Sequence, residues 1–386
     1  MALTAPTALL LSIGSELLLG ETVDINAAWL GRELAALGVD LRGVRQIPDD
    51  RGVIAGAFAA GLAEHDLVLA TGGLGPTHDD LTRGGLADAL GEELFEDEGL
   101  AGALRDRFGG DAWMPASNLR QAQLIASAKP LDNPIGSAPG WWVEREGRFV
   151  ALMPGVPAEM QLMWIAQVAP RLQGKLGLRP LAMRTVKTFG LGESAVAERL
   201  GDLLEAPGES IDAGIYARDD GVHLRFSTRL DASRLEDPVR RAISALGDDV
   251  YGTDAETLPR LALAALQRGG ASTLASLESG TDGALLAILA AHQAAEGEAR
   301  YRGGALLVDG ERPQAPAAAD AVLTVRLAAQ GALGRSRVAV DLAAPGMGFD
   351  TRVARIHGSG QQRPRRAAFA ALDLVRRAGI TTEGGA

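Results

Sequence analysis

Between Thr7 and about Pro170, short apolar runs alternate with segments of helical period, and that alternation leaves little choice of architecture. TALLLSIG, VDLRGVRQI and DLVLAT read as strands, and DRGVIAGAFAAGLAE reads as a helix between the second and the third. Strands that alternate with helices make an α/β layer fold with a largely parallel sheet, because a parallel pair needs a crossover and the helix supplies it. Asn26 is expected to cap the helix AAWLGRELAALG. Trp29, Leu30, Leu34 and Leu37 form its apolar stripe, and Gly38 is placed to end it. RFVALMPGVPAEMQLMWIAQ predicts strand, Pro-Gly turn and helix, with Pro157 in the first helical turn and Glu159 close behind.

The pattern then changes. From Pro180 to about Tyr251, LAMRTVKTFG, a helix AVAERLGDLL, SIDAGIYARD and GVHLRFSTRL predict a small α+β module with a hairpin turning at Asp219-Asp220-Gly221. From about Glu256 come alanine-rich helical segments, two apolar runs (GALLVDG and SRVAVDLAAPG) that read as strands, and a last amphipathic helix in GSGQQRPRRAAFAALDLVRRAG. The expected domains are residues 1–172, 178–252 and 256–386.

Composition narrows the function classes. With no cysteine, disulfides, zinc-thiolate sites and cysteine nucleophiles are impossible. A net charge of −11 argues against nucleic-acid binding as the main task, which relies on clustered Lys and Arg. MALTAPTALLLSIG has no basic leader, and no run approaches the roughly 20 apolar residues that cross a bilayer. A soluble, cytoplasmic protein without a membrane partner is expected.

The densest chemistry lies in VLATGGLGPTHDDLTRGGLADALG. A buried strand ends at Thr71; Gly72, Gly73 and Gly75 allow positive φ and expose backbone N–H groups as an anion-binding concavity. Asp79 or Asp80 is expected to cap the following helix. A plain capped turn would need one carboxylate. Two beside an anion repel it unless a cation bridges them, and divalent metals bind phosphates jointly with such oxygens. His78 is either a ligand contact or a turn residue. Ser15, Glu16, Asp24 and Asn26 follow the first strand, and Gly155 sits in a second strand–glycine–helix turn. Both segments fall at the carboxyl edge of a parallel sheet, where such folds bind ligands. NLRQAQLIASAKPLDNPIGSAPGWW reads as one long polar loop whose Asn, Arg, Gln and paired Trp favour function.

IGSELLLGETVDINAAWLGRELAALGV, TGGLGPTHDDLTRGGLA, NLRQA, LDNPIGSAPGW and MPGVPAEM together resemble the CinA family of competence/damage-inducible proteins across the first 170 or so residues. The same domain is similar to the molybdopterin-binding domain of MogA and gephyrin-like proteins, which implies a doubly wound three-layer α/β fold. In that family the domain is associated with metal-dependent hydrolysis of ADP-ribose to AMP and ribose 5-phosphate. The resemblance implies a small nucleotide substrate, a divalent ion (Mg²⁺ or Co²⁺) on Asp79 and Asp80, and a homodimer; Asp80 and Glu16 are the expected catalytic residues, with Glu16 our choice of base and not one that the resemblance dictates. Substrate contacts carried over are Asn26, Thr71, Gly72, Gly73, Gly75, Asn118, Asn133 and Gly155. Position 15 is serine where many relatives carry aspartate.

TVKTFGLGESAVAERLGDLL with its hairpin resembles the KH-like insert of the family. Nucleic-acid-binding KH domains clamp the backbone with a GXXG loop. Here Gly190-Leu191-Gly192 runs into Glu193, so a spacer or dimerisation module is expected and nucleic acid is not. The last third resembles a nicotinamide-mononucleotide amidohydrolase domain that has degenerated. In TLASLESGTDGALLAILAAH, Glu278, Ser279, Thr281 and Gly283 match the family motif, but Asp282 replaces a glycine. Val308 stands near the expected tyrosine, and no lysine follows Lys187. A serine nucleophile needs an adjacent base, and arginine stays protonated. Loss of deamidase activity is therefore expected. A non-catalytic pterin- or nucleotide-binding scaffold and a working bifunctional enzyme are the alternatives.

Overall fold

A computed structural model describes residues 5–110, 112–176, 178, 180–307, 318–331 and 334–383. It divides into two compact units, Met1–Leu181 and Ala182–Ala386.

In the first unit, β1 (Thr7–Ile13), β2 (Asp40–Ile47), β3 (Leu67–Thr71), β4 (Ala128–Leu131), β5 (Gly140–Arg145) and β6 (Arg148–Met153) form one sheet, ordered β2-β1-β3-β6-β5-β4. The first four strands of that order are parallel, and β5 and β4 complete it antiparallel. Alternate residues of the buried strands feed two cores. Leu9, Leu11, Val68 and Ala70 pack to one side with Ile54 and Phe58 of α2 (Arg51–Glu64) and Leu86 of α3 (Thr82–Leu90). Leu10, Leu67 and Leu69 pack to the other with Leu30 and Leu34 of α1 (Ile25–Leu37) and Met160 of α4 (Pro157–Met163). The sheet is covered on both faces, as a doubly wound parallel sheet must be. Each fully buried Leu contributes about 1.5–3 kcal/mol by leaving water.

Three expectations fail at the level of caps and loops. The cap of α1 is Asp24, which accepts from Ala27 N at 2.9 Å; Asn26 lies inside the first turn. Neither Asp79 nor Asp80 caps α3, which starts after Leu81 with no side-chain cap. Thr82 anchors that start instead, its N–H donating to Gly73 O and its Oγ1 to Gly72 O. The long polar loop is largely regular: a 3₁₀ helix (Ala116–Ala122), a short ladder of Phe95–Glu96 with Gln123–Leu124, then β4 and β5. Trp141 and Trp142, expected to serve function, are buried on opposite faces of β5. Gly38 does end α1, at φ 89°.

The second unit holds two sheets. β7 (Ala182–Thr188), β8 (Asp212–Arg218), β9 (Gly221–Thr228) and β10 (Val250–Thr253) form an antiparallel sheet ordered β8-β9-β7-β10, packed by Val196 and Leu200 of helix Glu193–Leu200 and by Val239 and Ala242 of helix Glu236–Leu246. The helix expected to run through Leu204 breaks at Gly201, φ 49°. β11 (Thr273–Ser279), β12 (Arg300–Leu306), β13 (Ala321–Leu327), β14 (Arg335–Ala343) and β15 (Phe349–His357) follow in the order β12-β11-β13-β14-β15. The last helix, Gln362–Glu383, buries Ala367, Ala371, Leu372 and Val375 in the core of this sheet. Val308 lies outside the described residues. Among those described, no helix is long and apolar enough to cross a membrane.

Candidate functional site

The chain leaves β1 toward β2 on one side and returns to β3 on the other, so the sheet's switch point lies at the ends of β1 and β3. A cleft of about 560 Å³ opens there, within the range of small-molecule sites. Gly14, Glu16, Asp24 and Asn26 line it after β1, the Thr71–Gly75 loop after β3, and Pro154–Pro157 after β6.

The glycines are required by packing. Gly72 has φ 98°, and a Cβ there would lie 2.1 Å from Ile13 O. Gly73 has φ 63°, and its Cβ would meet Thr82 Oγ1 at 2.3 Å. Two of the expected anion-binding amides are already engaged: Gly72 N–H donates to Met153 O at 3.1 Å and Gly75 N–H to Asp80 Oδ1 at 2.7 Å. Asp80 also accepts from Thr77 N–H and Thr77 Oγ1 at Oδ2, so it fastens the loop into shape. Behind the loop, Arg83 is 4% exposed and donates to Leu74 O and Pro139 O. Burial pulls its guanidinium down to about 10, against the opposing pull of Asp80, so it stays charged at neutral pH.

The other expected residues are distributed unevenly. Glu16 is exposed on the single turn Ser15–Leu18, its carboxylate folded back over Gly14. Asn26 is buried, and its Nδ2 donates to Gly155 O at 2.7 Å. Thr71 and Asp79 line the cleft; the His78 side chain is 95% exposed and does not. Asn118 is buried in the 3₁₀ helix away from the cleft wall. Asn133 stands behind the wall, donating to Glu159 Oε2 at 2.7 Å, and Glu159 is the group that faces the cleft. Ser279 and Thr281 belong to the second unit, at the end of β11. There Thr281 Oγ1, Leu285 N–H and Leu286 N–H all donate to the fully buried Glu278 carboxylate.

Asp49, outside every motif read from the sequence, and Gln121, within the NLRQA segment, also line the cleft. Ser15 donates to Asp49 Oδ2 from both N and Oγ, at 2.8 and 2.9 Å. Asp49 follows β2, so the rule about strand ends could have found it. Gln121 sits on a 3₁₀ helix that reaches the site only through tertiary packing.

Among the described residues the cleft wall carries six carboxylates, Glu16, Asp24, Asp49, Asp79, Asp80 and Glu159, and no Lys, Arg or His. Asp24 Oδ2 and Asn26 Oδ1 are buried there without a hydrogen-bond partner among the described residues. These are hard oxygen donors suited to Mg²⁺-type ions. Among the described residues no three His, Cys, Asp or Glu side chains converge as a metal cage. The donor set therefore fits a cation that shares its coordination with ligand phosphates and water.

Two family models match successive stretches of the chain. Residues 9–174 match the model of a probable molybdopterin binding domain, and residues 183–252 that of the damage-inducible protein CinA KH domain. A CinA-like protein of Thermomicrobium roseum is 45% identical over 294 residues, covering 75% of this chain and 72% of its own length. One from Frankia casuarinae is 38% identical over 363 residues, covering 90% and 82%. A crystal structure of CinA from Thermoplasma acidophilum, described as of unknown function, is 36% identical and aligns over 43% of this chain and 98% of its own, with a TM-score of 0.42.

Proposed function

The chain belongs to the CinA family, and we propose that its first unit is a divalent-metal-dependent nucleotide pyrophosphatase that splits ADP-ribose into AMP and ribose 5-phosphate. The observation that carries this is the wall of six carboxylates without a basic side chain, at the switch point of a doubly wound sheet. Such a wall repels a bare pyrophosphate and accepts one that arrives with a cation.

Asp79 and Asp80 would hold Mg²⁺ or Co²⁺ together with the ligand's phosphate oxygens. Such a cation would supply charge neutralisation for the pyrophosphate and a more acidic water. Glu16, exposed at the cleft mouth, would take the proton as water adds to phosphorus and the P–O–P bridge breaks. Asn26 and Gly155 fix the wall beside the ligand, and Asn133 orients Glu159.

Ligand binding without turnover is the second reading. It is favoured by Asp80, whose two carboxylate oxygens both accept hydrogen bonds from the loop. In the second unit, loss of deamidase activity is supported by the absence of lysine after Lys187 and by Tyr301, whose hydroxyl is bonded to Ser276 Oγ at 2.6 Å and not to Ser279.

The test is product analysis of the purified chain with ADP-ribose, with and without Mg²⁺ or Co²⁺, beside Asp80→Ala and Glu16→Gln. Metal-dependent AMP that disappears in both variants supports the proposal. No AMP with either metal moves the cleft to the binding reading.

A further inference from the structure

The second unit contains two adjoining cavities of about 260 and 580 Å³ that share Arg355 and His357 in their walls. Arg218 and Arg366 complete the smaller and Arg335 and Arg337 the larger. The pairing of β14 with β15 sets Arg337 directly opposite Arg355, and Arg335 directly opposite His357. Like charges so placed destabilise a sheet. Among the described residues no carboxylate pairs with Arg218, Arg335, Arg337, Arg355 or Arg366, although neighbouring Arg326 and Arg365 each have one. Arg366 Nη1 donates to His357 O, while its Nε is buried with no partner.

Two acids border the smaller cavity, Glu193 and Asp219, and Asp219 is bonded to Arg365 at 2.8 Å. The Gly190-Leu191-Gly192 loop lines the same cavity. Basic groups absent from its own sequence neighbourhood are thus supplied in space by β15 and the last helix. Charge on an edge strand such as β15 also deters strand-to-strand association. That role requires neither facing cations on two strands nor a concavity. None of Ser279, Thr281 or Asp282 lines either cavity, so the degenerate motif is elsewhere.

We propose that these cavities form a second, metal-independent site for a phosphorylated small molecule of mononucleotide size. Guanidinium forks match phosphate oxygens in pairs, and a bound phosphate dianion would turn the opposed arginines from a cost into a clamp. Walls drawn from the Gly190-Leu191-Gly192 loop, β15 and the last helix bound the smaller cavity locally, which favours a small ligand over a nucleic-acid strand that needs an extended track. The site is independent of the pyrophosphatase proposal.

The experiment is calorimetric titration of the full-length chain with AMP in EDTA, and of R337Q/R355Q in the same buffer. The parent is expected to bind saturably and the variant about tenfold more weakly, with its metal-dependent activity toward ADP-ribose unchanged. Without ligand, the variant should melt no lower than the parent, because a repulsive pair is gone. Should the double variant not fold, Arg335→Gln is expected to lower AMP affinity about threefold. Absence of saturable AMP binding in EDTA, or equal affinity in the variants, overturns the proposal. Affinity that climbs with the length of a single-stranded oligonucleotide overturns it too.

Discussion

Asn26 and Gly155, 129 residues apart in sequence, are joined by a 2.7 Å hydrogen bond from Nδ2 to the carbonyl oxygen. It ties the first turn of α1 to the turn after β6, and both residues line the cleft. Asn26→Ala should lower stability by about 0.5–1.5 kcal/mol, the net worth of one part-buried hydrogen bond, since water can reach the exposed Gly155 carbonyl. Denaturant unfolding measures this. Asn26→Asp keeps the size but also loses the donor; a wild-type midpoint in both variants would show that the bond contributes nothing.

Asp79 and Asp80 are adjacent but should behave differently. Asp80 takes three hydrogen bonds from its loop, so Asp80→Ala should cost about 2–3 kcal/mol besides abolishing AMP release. Asp79 is exposed, and Asp79→Ala should leave the unfolding midpoint at the parent's value while impairing metal-dependent turnover. Equal destabilisation by the two substitutions would contradict this division.

Asp282 is a non-glycine residue at φ 50°, in the left-handed region that favours glycine. Asp282→Gly should stabilise the second unit by about 0.5–1 kcal/mol through relief of that conformation. It should not produce nicotinate mononucleotide from nicotinamide mononucleotide, because no lysine is restored. Mass-spectrometric detection of that product would refute the proposed loss of deamidase activity.

Buried Glu278 accepts three hydrogen bonds that hold the start of helix Ala284–Ala291. Glu278→Ala would strand two backbone amides and should cost about 2–4 kcal/mol. Chemical denaturation followed by circular dichroism reads it, and a change below about 1 kcal/mol would mean water replaces the carboxylate.

Asp220 gives a pH signature. Burial works against its ionisation, but hydrogen bonds with His223 and Tyr251 and the His223 charge prevail, holding its carboxyl below the ordinary range. A depressed carboxyl stabilises the fold above its unfolded value of about 3.9, and that contribution is lost as pH falls through the folded value. Asp220→Asn should therefore flatten the decline in stability below about pH 4. Parallel acid-unfolding curves would exclude it.

Local conformation was legible from residue type alone. Gly38 ends α1 and Gly72 turns sharply after β3, because only glycine takes those dihedrals without strain. The Asp219-Asp220 turn joins β8 to β9, and the apolar alternation yields the doubly wound sheet. Strand β15 is hidden in the sequence because Arg352 and Arg355 interrupt its apolar pattern, whereas β11 and β13 are short apolar runs set among alanine-rich segments, where a strand and a buried helix read alike.

Period and dihedral preference are properties of neighbours in the chain, and so the sequence by itself determined the layer architecture, the glycine turns and the strand edge where ligands would gather. Tertiary structure decided which polar groups meet there. It sent Trp141 and Trp142 into opposite cores, put Asn133 behind Glu159, brought Asp49 to Ser15, and set Arg337 against Arg355. Each of these depends on packing or register between segments far apart in the chain, where a one-residue slip would turn every side chain to the other face.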